Sequence, residues 1–321
     1  MLRYVIQRVS YMIVAFLCIS LVTFFAMKSA PGSFLSMNLQ MGGMSTAAGQ
    51  LNVSPVVMKA LVDYYHLNSP WYVQWWSYVQ GFITLHMGTS FEYPGMETEK
   101  LIGMAFPFSI KIALMAVATG VIIAIPIAII SSVKENGWMD ISLMFLAMIG
   151  TSLPSYVVAV LLIVVFALWL HLLPVIGYTH WQDFVLPVLS LAIPMVGSMS
   201  RYLRNSLLDS LHSEYIVGVI AKGGSMRTAV LSHALRNSLL PLITVVGPQL
   251  AGLMTGTVLI EQMFNLPGLG HFFTGAASTR DYPLIMDSAL LYATVILIMN
   301  WLVDLTYGLL DPRIRRAGNT G

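Results

Sequence analysis

The sequence predicts an all-α polytopic membrane protein that crosses the bilayer six times. Three observations carry this: too little charge for a water-facing surface, long apolar runs free of charge, and a lopsided distribution of Lys and Arg. Of 321 residues, 57% are hydrophobic and 9% charged, and the mean hydropathy is +0.78. A soluble domain carries about 25% charged residues, because its surface has to be solvated. Lipid must therefore replace water around most of this chain, and a backbone in lipid satisfies its hydrogen bonds internally as helices. Strands of a barrel would alternate polar and apolar residues instead.

About 20 apolar residues cross the hydrocarbon layer. Residues 9–27, between Arg8 and Lys28, form the first span, and residues 112–133, between Lys111 and Lys134, the second. The 42 residues from 141 to 182 lack Asp, Glu, Lys and Arg until Asp183 and hold either one long helix with a loop or two short passes. One pass is the preferred reading, because LHLLPVIGYTHWQ contains Pro174 and Gly177, which mark a turn, and Trp169 and Trp181 suit the membrane interface. Residues 184–200, with Pro187 and Pro194, make a shorter, kinked span. Residues 237–260 and 288–310 complete the set, the last interrupted by Asp304.

Six passes put both termini on one side. The segments of that side carry eleven basic residues: Arg3, Arg8, Lys134, Arg201, Arg204, Lys222, Arg227, Arg236, Arg313, Arg315 and Arg316. The other side carries five, Lys28, Lys59, Lys100, Lys111 and Arg280, so the positive-inside rule places both termini in the cytoplasm. The first run exceeds the apolar core of a signal peptide, about 7–15 residues, and is read as a retained span. A net charge of +2 gives no support to a nucleic-acid partner, and the lone Cys18 excludes an intrachain disulfide or a thiolate cluster.

Two connections hold most of the information in the single transmembrane domain, 1–321. The outer segment 28–111 concentrates Tyr64, Tyr65, Trp71, Tyr72, Trp75, Trp76 and Tyr78, which predicts amphipathic helices at the membrane surface, either as a packed cap or as a docking surface. The cytoplasmic loop 201–236 reads as two short helices. Ser213 is positioned to cap the first, from Glu214 to about Lys222, which ends at Gly223 and Gly224 in the left-handed conformation glycine tolerates. Ser225 is positioned to cap the second, which runs through HALRN into the fifth span with Pro241 just inside it. Tyr215, Ile216, Val219 and Ile220 then form an apolar face that either receives a cytosolic subunit or packs on the ends of the other spans.

Catalytic chemistry is absent from the motifs. The chain has no G-x-x-x-x-G-K-[ST], no H-E-x-x-H and no G-x-S-x-G, and its seven histidines are scattered, so any ATP coupling comes from another subunit. His233 and Asn237, four residues apart, read as a local hydrogen bond before a ligand pair. Asp304 is the acidic residue well inside a span; it is either a proton or substrate site or, preferred here, a structural acceptor. Lys111, at the outer mouth of the second span, is expected to snorkel to the interface.

Three linked motifs carry a family resemblance over nearly the whole chain: SEYIVGVIAKGGSMRTAVLSHALRNSLLPLIT at 213–244, IEQMFNLPGLGHFFTGAASTRDYPL at 260–284, and NWLVDLTYGLLDPRIR at 300–315. Weaker echoes are MLRYVIQR, SPWYVQWW, MGTSF and SLPSY. The sequence resembles the inner-membrane permease subunits of ATP-binding-cassette importers for di- and oligopeptides and nickel. Their general signature, E-A-A-x3-G-x9-I-x-L-P, is met only at Gly223 and Leu235, with Val217, Gly218 and Val219 in place of E-A-A. The peptide-branch form is met at Ala221, Lys222, Gly223, His233, Leu235, Arg236, Asn237 and Pro241. Relatives usually carry basic or polar residues where Val217 and Ile220 stand.

The resemblance implies a type I importer permease in a bacterial cytoplasmic (inner) membrane, with Glu214, Tyr215 and the residues through Gly223 forming a coupling helix that docks on an ATPase subunit. It implies four kinds of partner: a second homologous permease, two ATP-binding-cassette subunits holding ATP and Mg, an extracytoplasmic binding protein, and the lipid bilayer. No cofactor or metal is expected on this chain itself. Glu261, Phe264, Pro267, Gly268 and Gly270, with Arg280, Asp281 and Tyr282, are candidates for an outer gate or binding-protein contact, or for a turn that orients the sixth span. Asp304 falls in the family's V-D-L, which favours its structural role. Peptide is preferred to nickel because no His or carboxylate cluster suits a metal. The rivals are a proton-coupled secondary transporter using Asp304 and a membrane scaffold for a cytosolic complex.

Overall fold

The computed structural model describes residues 2–30, 45–46, 49–50, 68–93 and 95–310. Apart from a short hairpin, Ser45–Thr46 with Gly49–Gln50, and an isolated bridge between Thr89 and Glu97, the regular structure of the described residues is helical. The principal helices are α1 (Leu2–Ser29), α2 (Trp71–Thr84), α3 (Thr98–Val133), α4 (Trp138–Ser152), α5 (Ser155–Leu162), α6 (Val185–Leu211), α7 (Glu214–Ala221), α8 (Leu235–Met263), α9 (Leu269–Thr279) and α10 (Tyr282–Leu310). Among the described residues four stretches are long and apolar enough to cross a membrane: Ile6–Ser29, Thr98–Val133, Trp181–Leu211 and Tyr282–Val303. The pair Trp138–Ser152 and Ser155–Trp169 qualifies as a fifth, bent by 107°.

That bend breaks the one long helix expected within residues 141–182 into two segments. Pro154 cannot donate to the helical ladder and pushes Leu153 into the extended region, with φ −89° and ψ 128°, so α4 stops and α5 starts in a new direction. The helix continues from α5 as a π-helical stretch, Ile163–Trp169, and the turn expected around Pro174 and Gly177 follows it. Asp183 holds that turn by accepting from the backbone N–H of Thr179 and His180, both at 2.9 Å.

Two compact units divide the chain: residues 1–108 with 267–297, and residues 109–266 with 298–321. In the first, α2 lies lengthwise and antiparallel on α1. Trp71 packs on Phe25 at 5.3 Å between ring centroids, Tyr78 on Phe24 at 6.4 Å, and Phe82 on Phe16 at 5.9 Å. Trp75 Nε1 donates to Ser20 Oγ at 3.0 Å. Residues 71, 75, 78 and 82 recur at helical spacing, so one aromatic stripe meets one helix. Phe24, Tyr78, Phe91, Met286 and Leu290 form the core of this unit. The aromatic helix expected at the membrane surface is thus seated along about 13 Å of a candidate span. Tyr64 and Tyr65 lie outside the described residues.

The second unit is built around α6, whose buried residues run from Leu186 to Leu207. Small residues let backbones approach. A Cβ on Gly197 would stand 2.1 Å from the Ala147 carbonyl oxygen of α4, and one on Gly150 would stand 3.2 Å from that of Ile193. Gln249 Nε2 of α8 donates to Ser198 Oγ of α6 at 2.8 Å. Lys111 lies more than three turns along α3, which begins at Thr98, and its ammonium sits 4.6 Å from the Phe184 ring centroid.

Candidate functional site

The segment between α6 and α8 is punctuated by local chemistry. Ser213 occupies the N-cap of α7 with φ −80° and ψ 151°, but its hydroxyl donates back to the Ser210 carbonyl instead of capping α7. The α7 C-terminus closes as the glycines dictate. Gly223 takes φ +86°, its N–H reaches the Ile220 carbonyl at 2.9 Å, and the Gly224 N–H reaches that of Val219 at 3.0 Å. This is a Schellman closure, which satisfies two otherwise orphaned carbonyls. Ser225 caps the next turn, Met226–Thr228, by accepting from the Thr228 N–H at 3.3 Å. A π-helical turn, Ala229–Ala234, then leads into α8, with Pro241 and Pro248 inside the helix.

The apolar face of α7 is split. Ile216 is 2% exposed and Val219 half-buried, while Tyr215 and Ile220 are 42% and 46% exposed, with Val217, outside the expected face, 62% exposed beside them. Glu214, Ala221, Lys222 and Gly223 are exposed beside them. His233 and Arg236 are exposed, Leu235 and Pro241 half-buried. Asn237 Nδ2 donates to Tyr215 Oη at 3.0 Å, so the residue read as the partner of His233 on one helix face bonds between segments instead. Ser210 and Ser238 add a second tie between α6 and α8 at 3.2 Å.

Beside this segment lies a cluster that sequence reading missed. Arg204 of α6 forks onto Asp140 of α4, with Nε to Oδ1 at 2.7 Å and Nη2 to Oδ2 at 2.5 Å. Asp140, 3% exposed, also accepts from the Ser131 hydroxyl of α3 and from the Asn136 N–H at 2.9 Å. One carboxylate therefore binds the end of α3, the turn after it, the start of α4, and α6. A weaker contact, Glu135 to His212 at 3.5 Å, joins the same turn to the end of α6. The sequence held one signal: Asp140 immediately precedes a charge-free run, and Arg204 follows another by a few residues.

The 260–284 motif makes two helix junctions. α8 ends with Asn265 at φ +51° and the Leu266 N–H on the Glu261 carbonyl at 2.8 Å. Glu261, Phe264 and Leu266 are buried. Pro267 is half-buried, and buried Gly268 is the N-cap of α9, with Gly270 buried in its first turn. At the other end of α9, Arg280 is left-handed at φ +62°, and Asp281 caps α10 by accepting from the Leu284 N–H at 3.3 Å. Asp281 is fully buried and also takes the Ser90 hydroxyl and the Glu92 N–H. Burial pushes the carboxyl groups of Asp281 and Glu92 above their ordinary values. Tyr282 stacks edge-on against Phe91 at 6.3 Å.

Asp304 lies on α10, but its side chain is outside the described residues. Another acid inside a candidate span escaped notice in the sequence because it borders the expected 288–310 run. Asp287, fully buried in the second turn of α10, accepts from Thr98 Oγ1 at 2.8 Å. Among the described residues no group of three or more His, Cys, Asp and Glu side chains is arranged to hold a metal.

The comparisons with known proteins agree with this architecture. The chain is 36% identical over 315 residues to the dipeptide transport system permease protein DppB of Bacillus subtilis, covering 98% of each. It is 35% identical over 317 residues to the oligopeptide transport system permease protein OppB of Haemophilus influenzae, covering 98% of this chain and all of that one. A crystal structure of an amino acid ABC transporter with histidines shares the fold, with a TM-score of 0.53 at 14% identity over 66% of this chain and 94% of that one. Residues 103–316 match the family model for the binding-protein-dependent transport system inner membrane component, and the chain belongs to that family of transport permeases.

Proposed function

We propose that this chain is the permease subunit of an ATP-driven importer of di- or oligopeptides, forming the translocation pathway with a second, homologous permease. The carrying observation is the similarity to a dipeptide and an oligopeptide permease along essentially the whole chain. The exposed Tyr215, Val217 and Ile220 on α7 support docking on an ATPase subunit, since such a face in a water-facing loop gains by burial. In this reading α8 completes six spans: it has 29 residues, about 44 Å of helix. Both termini and the 201–236 loop face the cytoplasm of a bacterial inner membrane. ATP and Mg are held by two partner ATPases, and an extracytoplasmic binding protein delivers substrate to the other side. This chain moves solute and breaks no bond.

The test is purification of the chain from its native membrane in mild detergent, with identification of everything that accompanies it. ATPase subunits and a second permease are expected, and changing Ala221, Lys222 and Gly223 together should release the ATPases. A lone chain that transports under a proton gradient would refute the importer reading and turn attention to Asp304. For the 261–282 segment we assign an outer gate: bulky residues at Gly268 and Gly270 should stop transport while the subunits still assemble. Normal transport by such variants would exclude it.

A further inference from the structure

We infer that the Asp140–Arg204 pair is the joint through which displacement of α7 is passed to the α3–α4 hairpin. The inference rests on the importer reading, in which the ATPases move α7. Neither residue is assigned a contact with substrate or nucleotide; both are positioning residues.

Arg204 lies in the last two turns of α6, about 10 Å of uninterrupted helix before its end. His212 and Ser213 make the whole connection, and α7 begins at Glu214. Any push on α7 therefore arrives at α6. Among the described residues its polar exits from α6 are Asp140, with the weaker Glu135–His212 contact, toward the α3–α4 hairpin, and Ser238 and Gln249 toward α8, which also receives the Tyr215–Asn237 bond from α7 itself. Higher on α6, contact with α4 runs through Gly150 and Gly197, where smooth backbone surfaces meet and only shape resists sliding.

The Asp140 exit is different in kind. A guanidinium fork on a carboxylate fixes direction as well as distance, because both N–H bonds must lie in one plane. The remaining capacity of that carboxylate is spent on Ser131 and Asn136, so Asp140 is held by its own hairpin while Arg204 holds it from α6. A largely buried pair of this kind adds little stability over apolar side chains of the same size, but it sets register between the parts it joins. The α6 helix and the hairpin move together while the fork is intact and can slip when it is not.

The test uses the complete transporter, with its partner permease, ATPases and binding protein, in proteoliposomes, with labelled trialanine as the probe. Three variants are compared with the natural chain: D140N, R204K, and D140R combined with R204D. Peptide accumulated per ATP hydrolysed is measured with subunit composition and with hydrolysis in the absence of binding protein. D140N should assemble fully, lose about fivefold or more in peptide per ATP, and hydrolyse ATP without binding protein. R204K, which keeps the charge and loses the fork, should fall between, and the exchanged pair should recover part of the ratio. An unchanged ratio in assembled D140N and R204K would overturn the inference. So would failure of all three to assemble, which would make the pair a brace and nothing more. If the natural chain itself brings no ATPase, the importer reading falls and this inference with it; a coupled natural complex with insensitive variants removes this inference alone.

Discussion

Gly197→Ala is the smallest change that should separate α4 from α6. The new Cβ would stand 2.1 Å from the Ala147 carbonyl oxygen and 2.3 Å from Thr151 Oγ1, where ordinary contact begins at 3.4 Å. Neither obstacle can turn aside. The carbonyl is helix backbone, and the Thr151 hydroxyl is held against it by donating to the same oxygen at 2.8 Å. The two helices must part by about 1.3 Å at this crossing, and gaps of about 0.5–1 Å already forfeit a quarter to a half of each dispersion contact. Overpacking of this kind costs about 1–3 kcal/mol, and a clash with backbone belongs at the upper end. At about 2–4 °C per kcal/mol for a domain of this size class, the melting temperature should fall by about 5–10 °C. Tryptophan fluorescence of the purified protein in mild detergent, followed during heating, reads this directly. Gly218→Ala is the control, because a Cβ there meets nothing within 4 Å, and removing a glycine from the interior of α7 should stabilise it slightly. Adding Thr151→Ala to Gly197→Ala should restore only part of the loss, since the carbonyl contact remains. A shift in Gly197→Ala no larger than in Gly218→Ala would refute the close backbone crossing.

Gly223→Val places a β-branched residue at φ +86° and should cost about 1–2 kcal/mol locally, fraying the end of α7 and weakening ATPase retention in pull-down assays. Full retention at natural affinity would mean that the Schellman closure does not shape the docking surface. The carboxyls of Asp281 and Glu92 have folded-state values above the ordinary 3.8 and 4.5, so the folded protein binds more protons than the unfolded chain over that window. Stability contributed by this region should therefore fall as pH rises from the ordinary carboxylate values to the raised ones, and melting temperature should rise as pH falls back through that window. Asp281→Asn should flatten that dependence; an identical pH profile in the variant would show that the acid response arises elsewhere.

Much of the α7 segment was legible in the sequence because its signals are local. Gly223 and Gly224 stop a helix whatever surrounds them, and Ser225 caps one for the same reason. Ser213 was read as a side-chain cap and is one only by backbone position, since its hydroxyl had a competing carbonyl one turn back. SLPSY was visible as a motif, yet the 107° turn it makes at Pro154 was not, because a proline announces a break without giving its angle. The split of the apolar face of α7, with Ile216 buried and Tyr215 and Ile220 exposed, depends on which neighbours pack there.

Composition, charge-free runs and basic asymmetry by themselves determined a helical membrane protein with several spans, because hydrocarbon admits few backbone solutions and each leaves a long signature in the chain. Linked motifs determined the family, since they preserve order and spacing over most of the length. Only the tertiary structure decided that Arg204 meets Asp140, that α2 lies along α1, and that Asp287 is sealed against Thr98. Those pairings join residues 55 to 189 positions apart. Hydrophobic periodicity says which face of a helix is buried but not which helix will bury it; that choice is made by packing, when small residues and paired polar groups find one arrangement that leaves neither a void nor an orphaned charge.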